Sequence, residues 1–114
     1  YFRYADDIVI LHSNKMYLHA CFIDIEKYLR ENLKLKVKEN WQVFPVKSRG
    51  IDFLGYVFRH THIMKRKSIK KSFCRRASKL HKTNLPEDYF MQKICSWLGW
   101  AKHCNSKNLI KKIL

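Results

Sequence analysis

Tyr4-Ala5-Asp6-Asp7-Ile8-Val9-Ile10-Leu11 decides how the rest of this 114-residue chain is read. The apolar residues flanking the two aspartates are strand formers, and Asp-Asp interrupts them where a turn is needed. The stretch therefore predicts a tight hairpin with its carboxylates at the turn. Adjacent carboxylates repel one another unless a cation neutralises them. A divalent metal does so through hard oxygen ligands, and Mg²⁺ favours one or two carboxylates together with phosphate oxygens. A solvated Asp-Asp turn is the simpler alternative.

Downstream of the hairpin, Ser13 or Asn14 is placed to cap a helix. Leu18, Phe22, Ile25, Leu29 and Leu33 recur at three- to four-residue steps, which predicts an amphipathic helix over 15–32. The period then changes. Leu33, Leu35 and Val37 alternate with Lys34, Lys36 and Lys38, the pattern of a half-buried strand. Trp41 to Phe44 continues extended as far as Pro45. Ser48-Arg49-Gly50 reads as a turn, and Ile51 to Phe58 as an extended run interrupted by Gly55, where close approach of another backbone is expected. Ile63-Met64 is expected to pair back on that run. From Ser68 onward the chain reads as helical, with Ile69, Phe73, Ala77 and Leu80 in an apolar stripe. Pro86 opens a further helix carrying Phe90, Ile94, Trp97, Leu98 and Ala101 on its buried face, with Trp100 also expected in the core. Leu109, Ile110, Ile113 and Leu114 belong to a short last one. The fold class expected is α+β, with a mixed part at residues 1–64 and a helical part at 65–114.

Composition narrows the function. The chain is 46% hydrophobic, enough to build a core, so wholesale disorder is excluded. No apolar run approaches the roughly 18 residues of a membrane span, and no leader is visible, so a cytoplasmic protein without membrane contact is expected. The chain begins at Tyr1, as expected of a piece of something longer. Lys and Arg number 24 against 9 Asp and Glu. Residues 58–114 hold 15 of the basic side chains and only 2 of the acidic ones. Such a field implies a polyanion as partner, most often nucleic acid. Nine cations lie between Lys65 and Lys82, and helical spacing lines up Lys71, Arg75, Lys79 and Lys82 along roughly 16 Å. These are candidate phosphate contacts. Cys21, Cys74, Cys95 and Cys104 lack zinc-knuckle spacing, and the first three read as small core residues in a reducing compartment.

Several motifs together resemble one family. Tyr4-Ala5-Asp6-Asp7 followed by a hydrophobic strand looks like the catalytic hairpin of reverse transcriptases. Phe53-Leu54-Gly55-Tyr56, starting 47 residues after Asp6, looks like the primer-grip turn of the bacterial enzymes. Trp41 to Val46, Arg49 to Tyr56 and Ser96 to Asn105 are most similar to the diversity-generating retroelement branch. The resemblance implies the C-terminal part of a polymerase palm followed by a helical thumb. It implies RNA-directed DNA polymerisation by two-metal nucleotidyl transfer, with Mg²⁺ or Mn²⁺ held by Asp6 and Asp7. Those residues match two of the family's three catalytic carboxylates, and the third lies upstream of this segment, so the piece alone is expected to be inactive. The resemblance further implies that Tyr4, Gly55 and Tyr56 lie along the primer, and that Lys38 or Lys36 serves as general acid. The thumb cations Lys71, Arg75 and Lys79 would contact template–primer phosphates. RNA template, DNA primer, dNTPs and a basic accessory protein are the partners implied. The alternatives are an intron-encoded reverse transcriptase with a maturase role and a non-catalytic nucleic-acid-binding module.

Overall fold

A computed structural model describes all 114 residues. The chain is mixed α+β, 52% helix, with two small antiparallel sheets. It divides into two compact units, Tyr1–Pro45 and Val46–Leu114. No helix is long and apolar enough to cross a membrane.

The first unit opens with the expected hairpin. Strand β1 (Phe2–Tyr4) pairs antiparallel with β2 (Asp7–Val9), matching Phe2 with Val9, Arg3 with Ile8 and Tyr4 with Asp7. Ala5 and Asp6 form the two-residue loop. Ala5 takes φ +51°, a left-handed conformation usually given to glycine in such loops. Helix α1 (Lys15–Asn32) begins where the sequence predicts it, because the Asn14 side chain accepts from the Met16 amide at 2.8 Å and the Tyr17 amide at 3.4 Å. It ends as Leu33 and Leu35 both donate backbone N–H groups to the Leu29 carbonyl, with Lys34 at φ +56°.

The strand expected over Leu33 to Val37 does not form. Alternation marks which side chains could share a face, but a strand also needs a neighbour for its backbone, and here there is none. The segment instead folds back on α1, where the Trp41 ring stacks on Phe22 at 3.8 Å between centroids.

The second unit starts with a one-turn helix, α2 (Val46–Arg49), in place of the expected turn. Gly50 closes it at φ +74°, its N–H bonded to the Val46 carbonyl at 2.8 Å. A Cβ on Gly50 would lie 2.8 Å from the Phe58 carbonyl oxygen, whereas one on Gly55 would meet the Ile69 and Trp100 side chains. The run Ile51 to Phe58 is a hairpin: β3 (Ile51–Phe53) and β4 (Tyr56–Phe58) flank Leu54 and Gly55, both at positive φ. Strand β5 (Ile63–Lys65) then pairs on β4, completing a three-stranded meander.

Three helices follow: α3 (Lys67–His81), α4 (Glu87–Ala101) and α5 (Lys107–Ile113). Their apolar stripes meet in a core of Phe73, Ala77, Phe90, Ile94 and Ile113, flanked by Cys74, Leu80, Trp97, Leu98 and Leu109. Full burial of Phe73 and Ile94 contributes about 2–3 kcal/mol each by area removed from water. The sheet is tied to these helices. The Arg66 amide donates to the Gly55 carbonyl at 2.9 Å, and the Asn105 amide donates to the Ile63 carbonyl at 2.8 Å. Residues 64 and 65, between which the sequence reading divides the chain, both belong to β5, and the chain parts into its compact units between Pro45 and Val46.

Candidate functional site

The sequence-predicted site residues divide between the two units. In the first, the β1–β2 register sets Tyr4 directly opposite Asp7, while Asp6 occupies the loop between them. All three are exposed. Arg3 braces the turn by donating from Nε to the Ala5 carbonyl at 2.9 Å. Lys38, from the segment after α1, reaches the same loop, with Nζ 3.6 Å from Asp6 Oδ2. Asp6, Asp7, Tyr4 and Lys38 thus share one corner of the unit. The adjacent Lys36 pairs instead with Glu39 at 3.7 Å.

Chemically, this corner offers hard, solvent-facing carboxylate oxygens at two consecutive residues. That donor set suits Mg²⁺, which keeps much of its water and takes few protein ligands. No group of three His, Cys, Asp or Glu side chains gathers anywhere in the chain. The four cysteines are free thiols.

In the second unit, Gly55 and Tyr56 sit at the β3–β4 turn and are engaged by their own helices. Gly55 is buried at φ +83°, and a Cβ there would stand 2.7 Å from Ile69 Cδ1. The Tyr56 hydroxyl donates to the Trp100 carbonyl at 2.9 Å, and its ring stacks near Trp100 at 6.1 Å. Burial, and then the neighbouring Cys104, push this phenol above its usual pKa. Trp100, expected in the core, has half of its surface exposed.

Lys71, Arg75 and Lys79 lie exposed on α3, one helical turn apart, on the side away from Phe73 and Ala77. None has a carboxylate partner. Lys67, Lys70, Lys71 and Arg75 rim a shallow hollow that also includes Cys74. The nearby Arg66 is different: its guanidinium holds Asp52 Oδ1 at 2.7 Å through both Nε and Nη2.

Sequence reasoning missed Lys65, counted among the surface cations. It is 8% exposed, donates from Nζ to the Trp97 carbonyl at 3.0 Å, and lies over the Phe73 and Trp97 rings. Its position at the end of the predicted Ile63-Met64 pairing was the available signal, since a strand followed by a helix turns alternate residues towards the core. Compared with known proteins, the chain matches no family model and no curated protein.

Proposed function

We propose that the chain is the C-terminal palm and thumb part of an RNA-directed DNA polymerase, of the diversity-generating retroelement type. The observation that carries this reading is the exposed Asp6-Asp7 pair at a tight hairpin loop, with Tyr4 across from Asp7. The ordered motifs that resemble reverse transcriptases add to it. In this reading Asp6 and Asp7 hold Mg²⁺, or Mn²⁺ in its place. Held there, the metal would supply activation of the primer 3′-hydroxyl and charge neutralisation on pyrophosphate. Tyr4 flanks the carboxylates at the primer end, and the Leu54–Gly55 turn approaches the primer backbone. Lys71, Arg75 and Lys79 meet phosphates of the RNA–DNA duplex without reading sequence.

In the full-length enzyme, Asp6→Ala and Asp7→Ala should each lower Mg²⁺-dependent cDNA synthesis by at least about a hundredfold, with template binding unchanged. Synthesis within tenfold of wild type would remove the catalytic assignment. The charge of the second unit, 17 basic against 3 acidic residues, favours a second reading as a non-catalytic nucleic-acid-binding module. Under that reading the full-length protein binds duplex and synthesises nothing, with or without Mg²⁺.

A further inference from the structure

Lys38 has a place at the hairpin that follows from how its segment is held. On one side the Leu35 amide is bonded to the Leu29 carbonyl at 3.0 Å; on the other the Trp41 ring is stacked on Phe22. The five residues between these anchors carry Lys36 and Lys38, and the two lysines have different partners. Lys36 faces Glu39, whereas Lys38 crosses to Asp6. Arg3, the other cation at this corner, directs its Nε to the Ala5 carbonyl. Lys38 is therefore the ammonium that answers the carboxylate repulsion at the loop.

We infer that the Lys38 ammonium is a resident counter-cation of Asp6, which a divalent metal displaces on binding. Lys38 thereby sets the metal concentration at which the hairpin is occupied. This inference rests on the metal-ligand reading of Asp6 and Asp7. Both partners of the pair are largely exposed, 77% for Lys38 and 80% for Asp6. Such a contact is weak and salt-screened, so a doubly charged ion can open it, yet it still competes. The competition acts on Asp6 more than on Asp7, because the lysine contacts Asp6 Oδ2. High salt weakens the ammonium contact and narrows the difference that Lys38 makes.

The test uses Mn²⁺ as the probe and follows paramagnetic broadening of the Asp6 and Asp7 amide signals in the 114-residue chain. Wild type is compared with Lys38→Met, Lys36→Met and Lys38→Arg. Lys38→Met should lower the Mn²⁺ concentration for half-broadening by about two- to fivefold, the worth of one exposed ion pair. Lys36→Met removes the same charge two residues away and should shift it by less, and Lys38→Arg should stay near wild type. Equal shifts for the two Met variants, or no shift in either, would overturn the role of Lys38 and leave the metal reading standing. No selective broadening of Asp6 and Asp7 in any of the four proteins would overturn the inference, and the metal reading would then stand or fall on the full-length Asp6→Ala and Asp7→Ala enzymes.

Discussion

Lys65 puts an ammonium against the Phe73 and Trp97 rings at a buried position. Its charge is answered by the Trp97 carbonyl and by two aromatic faces. Desolvation lowers its pKa from the usual lysine value of 10.5, with Cys104 partly opposing the shift. Between the lowered folded value and 10.5, the unfolded chain holds a proton that the folded chain has released. Stability therefore rises with pH across that interval. Tyr56 has the opposite sign. Its pKa is raised above 10.0, so the folded state keeps a proton that the unfolded state loses, and stability falls as pH climbs beyond 10.0. Urea midpoints followed across the alkaline range should climb and then drop. Lys65→Met should flatten the climb, and Tyr56→Phe should soften the drop. A Lys65→Met protein with the wild-type climb would assign the dependence to another group. In the sequence, Lys65 looks like its neighbours Arg66 and Lys67. Only the pairing of β5 turns it inward, and single-residue chemistry does not record that pairing.

Helix α3 is the element with the sharpest division of labour. Phe73 and Ala77 are buried in the shared core, while Lys71, Arg75 and Lys79 face solvent. Like charges one turn apart each cost a few tenths of a kcal/mol, and no acidic residue of the helix offsets them. A phosphate backbone would. If the stripe meets RNA–DNA duplex, changing Lys71, Arg75 and Lys79 together to Gln should flatten the log–log salt dependence of binding by about two to three units. An unchanged slope would mean that this face stays in water when duplex is bound. The helices were legible because the 3.6-residue period records the face each one buries, as Phe73, Ala77, Phe90 and Ile94 do. Strands were less so. Leu33, Leu35 and Val37 alternate as well as any strand, yet no neighbouring strand pairs with them, and the Leu33 and Leu35 amides turn back to the Leu29 carbonyl. Gly55 read as an interruption within one run, whereas with Leu54 it reverses the chain. The carboxylate corner was legible at Asp6 and Asp7 because the turn is local. The choice of Lys38 over Lys36 as their neighbour depended on how Leu35 and Trp41 anchor the segment.

For the whole chain, burial and charge both concentrate in Val46–Leu114. Every buried hydrophobic side chain belongs to that unit, and Tyr1–Pro45 has none. The first unit also holds exposed Phe2, Tyr4, Ile8, Met16, Ile23 and Leu35. Opening free energies should follow this division. Amides of α3 and α4 around Phe73 and Ile94 should exchange slowest, and those of β1, β2 and α1 much faster. Protection should change at Pro45–Val46 and not at Lys65–Lys67, because the Arg66 amide is bonded to Gly55. A fast-exchanging break at Lys65–Lys67 would instead divide the sheet from the helices. Asn105 adds a last constraint. Its amide donates to the Ile63 carbonyl, and its side-chain oxygen accepts from the Ile63 amide at 2.9 Å. One asparagine thus occupies both outward backbone groups of an edge-strand residue, as a neighbouring strand would. Open sheet edges recruit other chains into aggregates, and β5 is only three residues long. With the Ile63 rung filled from within, a foreign strand finds no continuous ladder along β5.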